Sequence, residues 1–196
     1  MKKLLALTLL LTLLIALPLS LTSCNKEPTG NILVLEVKNY GTIVLQLDPD
    51  AAPKTVSHFK KLVADGVLDG ATFYRIVDEF VIQGGLINND DIPTVKGEFS
   101  ENGVSNPRRH VRGTLSMART NDPDSGSSEF FICLAENAST RYLDGKYAAF
   151  GYVIEGMDVV DAIADSPTYG EYALTDIIIT DAYITEEYPP ATEGEN

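Results

Sequence analysis

The 196-residue sequence predicts a mainly β domain, a closed β-barrel with helices over its ends. Two patterns carry that expectation. Short runs of β-branched and aromatic residues recur from Ile32 to Ile184, and only two segments place apolar residues at spacings of three and four. A third observation bounds it: 44% hydrophobic and 22% charged residues describe a folded chain, and the length suits one globular domain with a real core. No internal repeat interrupts this reading.

In chain order, Ile32–Val37 reads as a strand, Asn39-Tyr40-Gly41 as a turn and Thr42–Leu47 as the second arm of a hairpin, stopped by Asp48-Pro49-Asp50. Pro53 suits a first helical turn. Val56, Phe59, Leu62 and Val63 then give one apolar face, and Asp65-Gly66 ends the helix. Phe73–Val77 and Phe80–Gln83 are short strands. Leu86–Arg112 shows no period and is a candidate scaffold surface for a fixed complex. Strands resume at Thr114–Ala118, Phe130–Leu134 and Ala148–Ile154. Met157–Ala164 is the second helix, with Val159, Val160 and Ile163 on one face, and Asp176–Ile184 is the last strand.

The first thirty residues read as an address. Lys2-Lys3 and an apolar run, with eleven leucines among residues 1–23, match a secretory leader. Leu21-Thr22-Ser23-Cys24 resembles the bacterial lipobox, whose cysteine is lipidated and becomes the new N-terminus. The expected organisation is a lipoprotein signal peptide over residues 1–23, lipidated Cys24 with a short tether over 24–30, a folded domain over 31–185 and an acidic tail over 186–196. Acyl chains hold a protein on a membrane at about 0.8 kcal/mol per buried CH₂. The expected place is therefore outside the cytoplasm, on a bacterial membrane. A retained anchor helix over Leu4–Leu21 is the competing reading.

Charge and motif content exclude several functions. Fifteen Lys and Arg face twenty-eight Asp and Glu, a net charge of −13, which argues against sequence-blind nucleic-acid binding. Two cysteines cannot staple a miniprotein, and Cys133, inside an apolar run, reads as an inert buried thiol. Asp122–Gly126 is similar to a calcium loop but has its glycine misplaced and lacks the terminal glutamate, so it reads as a solvated turn. His58 reads as a helix-surface or packing residue. His110, within Arg108-Arg109-His110-Val111-Arg112, reads as part of a solvated strand entry, with a basic patch for an acidic partner as the alternative. Ser127 and Ser128 have no base nearby and no nucleophile elbow, so hydrolase chemistry lacks support.

One segment stands apart. Phe73–Gly85 sets Arg75 among aromatic and apolar residues and places Gln83 before Gly84-Gly85. Taken alone it also fits a surface arginine on a hairpin. The segment resembles the cyclophilin signature, and further blocks continue the resemblance in family order: Arg112–Arg119, Ser127–Cys133, Tyr142–Tyr147 and Phe150–Val160. The resemblance implies an eight-stranded antiparallel barrel capped by two α-helices, peptidyl-prolyl cis-trans isomerase activity (EC 5.2.1.8 type), proline-containing polypeptides as partners, no cofactor or metal, and a monomer. It implies Arg75, Phe80 and Gln83 as catalytic residues. Val81, Ala118, Arg119, Thr120, Glu129, Phe131, Tyr142, Leu143 and Tyr147 become substrate-binding residues. Val81, Glu129, Tyr142 and Tyr147 stand where the family pattern has Met, Gln, Trp and His. The Tyr142 replacement implies weaker cyclosporin binding.

The chemistry suits those residue types. An X–Pro bond rotates slowly behind a barrier of about 18–20 kcal/mol set by amide resonance. A catalyst has only to favour the twisted state, whose pyramidal nitrogen accepts a hydrogen bond that a guanidinium can donate at any working pH. A proline-peptide-binding module with weak or no catalysis is the alternative on the same fold.

Overall fold

The computed structural model of the protein describes residues 28–87 and 91–188. The leader, Cys24 and most of the acidic tail lie outside the described residues. In chain order the elements are β1 (Ile32–Val37), β2 (Gly41–Leu47), α1 (Pro53–Ala64), β3 (Thr72–Val77), β4 (Val81–Gly85), β5 (Thr114–Met117), β6 (Phe130–Cys133), α2 (Ala138–Arg141), β7 (Ala149–Glu155), α3 (Met157–Ala164), β8 (Thr168–Tyr169) and β9 (Tyr172–Thr185). Neighbours run β1-β2-β7-β5-β6-β4-β3-β9, every pair antiparallel, and β9 returns to pair with β1. Eight strands thus close into a barrel in which each of the eight is paired on both sides. β8 adds only a short hairpin arm to β9.

Strand alternation sorts the side chains. Leu33, Leu35, Ile43, Leu45, Phe73, Ile82, Leu115, Phe130, Ile132, Phe150, Ile177 and Ile179 fill one continuous core. Helix α1 adds Phe59, whose ring meets Phe130 edge-on at 5.5 Å and Phe150 at 4.9 Å between centroids. Helix α3 adds Val160 and Ile163 to the same core. These are the two helices expected from the periodicity, α3 with the bounds expected. The structure has a third, α2, a single turn too short to show a period. Asn137 and Thr140 form a capping box at its start.

The first turn of α1 has no side-chain cap from its own N-cap residue, Ala52. Glu98 supplies one from the long β4–β5 connection. Its carboxylate, 2% exposed, accepts from the amides of Lys54 (3.1 Å) and Thr55 (2.7 Å) and from the Thr55 hydroxyl (2.8 Å). The described part of that connection is ordered by such polar ties. Asn106 Nδ2 donates to the carbonyls of Glu98 and Ala149, Val95 pairs with Gly126, and Asp124 accepts from the Gly97 amide. Its apolar content is too sparse for a period, which is why the sequence reads as unpatterned there.

Some boundaries differ from expectation. β9 begins at Tyr172, four residues before the apolar run that predicts it, because its first residues face solvent and pair with β8 and β3. Phe80 lies in the β3–β4 turn, where Glu79 adopts a positive φ of 54°. Thr29 and Gly30, read as the end of the tether, lie against the end of β9. Thr29 Oγ1 donates to Glu186, and a side chain on Gly30 would meet the Thr185 carbonyl.

Candidate active site

Four strands carry the site on the outer face of the barrel. Their register lines up Arg75 on β3, Gln83 on β4, Phe131 on β6 and Ser116 on β5 as successive cross-strand partners. A neighbouring row holds Val81 and Cys133. The inward residues of the same strands are Phe73, Ile76, Ile82, Phe130, Ile132 and Leu115. Simple alternation does not put Arg75 outside, since Phe73 two residues earlier points into the core. A β-bulge between Phe73 and Arg75, present against both β4 and β9, breaks the parity and turns Tyr74 and Arg75 outward together. Gly84 and Gly85 allow the close approach this needs. A Cβ on Gly84 would lie 2.9 Å from the Phe73 ring, and Gly85 has a φ of +126° with the Ser128 carbonyl 2.5 Å from where its Cβ would stand.

Arg75, Phe80, Val81, Gln83, Ala118, Arg119, Phe131, Leu143 and Tyr147 enclose a half-open cavity of about 180 Å³. Val81, Ala118, Phe131 and Leu143 form its apolar floor over the buried Cys133, with Phe80 and Tyr147 packed against it. The floor is a second apolar cluster outside the barrel core. The Arg119 guanidinium lies 4.5 Å from the Tyr147 ring centroid and donates to the Lys146 carbonyl at 3.0 and 2.8 Å, which holds that rim.

Three of the residues that the resemblance implies for substrate binding stand outside this cavity's lining. Thr120 is exposed beyond the end of β5, its hydroxyl bonded to Ser125. Tyr142 is 68% exposed, lies in a separate open groove with Val77, Phe80 and Asn137, and carries Lys146 Nζ over its ring. Glu129 stands behind Gln83. Its carboxylate accepts from Gln83 Nε2 (2.9 Å) and from the Tyr74 hydroxyl. Burial and that carboxylate raise the Tyr74 hydroxyl above the ordinary tyrosine range, so Tyr74 stays a donor. With its amide group committed to Glu129 and Tyr74, Gln83 turns its oxygen to Arg75 Nη1 at 3.1 Å.

His110 is the residue that sequence reasoning misplaces. It is 1% exposed, neither a solvated strand entry nor part of a free basic patch. Its Nδ1 lies 3.0 Å from Asp144, its Nε2 2.9 Å from Ser116 Oγ, and its ring stacks against Phe131 at 6.0 Å. Desolvation lowers its basicity despite Asp144, so it sits neutral behind the pocket wall. Burial alone would raise Asp144, but the His110 amide and ring and the Arg109 charge hold it below the usual carboxylate range. This Ser–His–Asp string has the connectivity of a hydrolytic triad. Ser116 is fully buried, however, so it serves as packing for Phe131 rather than as a nucleophile. The flanking arginines each have a partner: Arg108 pairs with Asp48, Arg109 with Asp144 at 3.7 Å and Arg112 with Asp161 at 2.6 Å.

His58, half-buried on α1, bonds the Ser127 carbonyl, and Asp122–Gly126 is a hydrogen-bonded turn. Among the described residues no group of three His, Cys, Asp or Glu side chains is placed to hold a metal ion.

Comparison with known proteins agrees with this geometry. The family model described as cyclophilin type peptidyl-prolyl cis-trans isomerase/CLD matches residues 32–184. A curated peptidyl-prolyl cis-trans isomerase of Acinetobacter baylyi is 39% identical over 141 residues, 71% of this chain and 75% of that protein. Among solved structures, a cyclophilin from Hirschia baltica superposes with a TM-score of 0.66 at 27% identity, over 82% of this chain and 76% of that one. A cyclophilin-type isomerase of Cryptosporidium parvum, solved in the presence of the dipeptide Ala-Pro, gives 0.68 at 25% identity, over 80% and 99%.

Proposed function

This chain belongs to the cyclophilin-type peptidyl-prolyl cis-trans isomerases, and from that premise we propose that it accelerates X–Pro rotation in proteins outside the cytoplasm by hydrogen bonding from Arg75 to the twisted prolyl amide. The observation that carries the reading is the placement of one guanidinium beside an apolar floor, with Arg75 and Phe131 on opposite sides of Gln83 in the sheet register.

The mechanism follows from differential binding. Planar and twisted amides present the same apolar ring, so Phe80, Val81, Phe131 and Leu143 bind both states. Only the twisted state has a pyramidal nitrogen with an available lone pair. A donor from Arg75 therefore stabilises the transition state more than the ground state. No bond is broken and no proton is transferred. Gln83 fixes the plane of the guanidinium through Nη1, and Glu129 fixes Gln83 in turn. The Ala118 amide still donates to the Glu129 carbonyl and the Thr120 amide to the Ser125 hydroxyl, and the backbone of Arg119 between them, past the end of β5, is suited to pairing with an extended peptide.

For location, the Lys2-Lys3 leader and Leu21–Cys24 support export and attachment through a lipid on Cys24. The domain begins at β1, seven residues after Asn25, so it would work close to the membrane surface.

The test is an exchange experiment on a proline-containing peptide whose cis and trans signals are resolved. Catalytic amounts of the protein are expected to produce exchange cross-peaks at a temperature where the free peptide shows none. Binding without exchange would replace the isomerase reading with a proline-peptide-binding module.

A further inference from the structure

Arg75 is held on a second side by a residue outside the pocket. Its Nε donates to Glu171 Oε2 at 2.8 Å, while Nη1 donates to Gln83 at 3.1 Å. Glu171 comes from the far end of the chain, 96 residues on, in the two-residue loop between β8 and β9. Gly170 takes a φ of +64° in that loop, as a tight hairpin requires. The loop is tied directly to the strand that carries Arg75. The Ile76 amide donates to the Glu171 carbonyl at 2.7 Å, and Tyr172 is the ladder partner of Arg75.

An arginine side chain is long and has many rotamers, and a donor that wanders stabilises no transition state. Hydrogen bonds to a guanidinium lie in its plane. Two acceptors on two of its nitrogens therefore fix both its place and its tilt, and leave Nη2 to face a substrate. We infer that Glu171 is a positioning residue for the isomerase, clamping Arg75 through Nε so that its free amine points into the proline pocket. The inference rests on the isomerase reading. The Arg75 side chain is 28% exposed and that of Glu171 53%, so the pair is a partly solvated one of modest strength. The clamp does not touch the apolar floor, so its loss acts on turnover and not on peptide binding.

The experiment uses three variants of the full chain. Glu171→Ala is expected to lower kcat about five-fold, with KM and the thermal midpoint unchanged. Glu171→Gln keeps an acceptor for Nε–H and is expected to stay within about two-fold of the parent. Tyr169→Ser, at an 83% exposed position of the same hairpin, is expected to match the parent and controls for loosening of the loop. In parallel, the ¹⁵Nε–¹H signal of Arg75 is expected to be protected from water exchange in the parent and in Glu171→Gln, and lost in Glu171→Ala. Parent-like turnover in Glu171→Ala, a fall in Glu171→Gln equal to that in Glu171→Ala, or a loss in Tyr169→Ser of the same size would each overturn the proposal. A parent that turns over no proline peptide counts against the isomerase reading itself, and the Nε–H signal then decides separately whether the clamp exists.

Discussion

Replacing His110 by leucine tests whether the wall behind Phe131 is a polar network and not simple packing. The ring bonds Asp144 through Nδ1 and Ser116 through Nε2, and both the histidine and the serine are buried. Leucine fills most of the space but leaves the Ser116 hydroxyl without its partner, at a cost of about 1–3 kcal/mol. It also removes the stack on Phe131, worth about 0.5–1.5 kcal/mol. Asp144 keeps the His110 main-chain amide, so its loss is smaller. The sum is about 3 kcal/mol at pH 7.5, or a fall of roughly 6–12 °C in thermal midpoint for a domain of this size. The pH dependence gives a sharper readout. His110 is harder to protonate in the folded state than in the unfolded one, so the unfolded chain binds more protons as pH falls through 6.5. Its contribution is complete above pH 6.5 and is lost as pH drops below that value toward its depressed folded pKa, with a slope of up to about 1.4 kcal/mol per pH unit. Urea unfolding of the wild type and of His110→Leu, at intervals from pH 7.5 to 5, is expected to give a steeper decline for the wild type, the two curves converging at the acid end. Parallel curves would refute the assignment of a buried neutral histidine.

Other outcomes follow from single contacts. Gly85→Ala is expected to destabilise the protein by more than about 2 kcal/mol in urea melts, because it combines a φ of +126° with a backbone oxygen 2.5 Å from the new Cβ; a neutral result would contradict the register of β4 on β6. Burial and Asp144 push the Cys133 thiol up to about 12, so in a Cys24→Ser chain a thiol reagent at pH 8 is expected to label nothing in the native protein and one group in urea. Cys24→Ala is expected to release or misprocess the protein in a bacterial host; unchanged, uncleaved membrane association in a fractionation would favour an anchor helix over Leu4–Leu21.

The barrel was legible because its strands are short apolar runs rich in β-branched and aromatic residues, and runs such as Ile32–Val37 and Phe130–Cys133 leave little choice of element. α3 was legible because Val159, Val160 and Ile163 share a helical face. What was hidden depends on pairings distant in sequence. His110 stands among three arginines, which reads as solvent, and its burial comes from Asp144 thirty-four residues later. Glu129 looks like a charge in the groove until Gln83 and Tyr74 are seen to hold it behind the pocket. The outward turn of Arg75 rests on a bulge that no residue of Phe73–Val77 announces, and its contact with Glu171 depends on a hairpin whose residues face solvent and carry no apolar period.

The most direct test of the central claim is the cis–trans exchange rate of a proline peptide with wild-type protein and with Arg75→Ala, each shown by circular dichroism and thermal midpoint to be folded. Loss of a single preorganised donor costs about 10²–10³ in rate. The account predicts that Arg75→Ala retains the fold and falls by at least about 100-fold, toward the uncatalysed rate. A folded Arg75→Ala protein that exchanges the peptide as fast as wild type would contradict it.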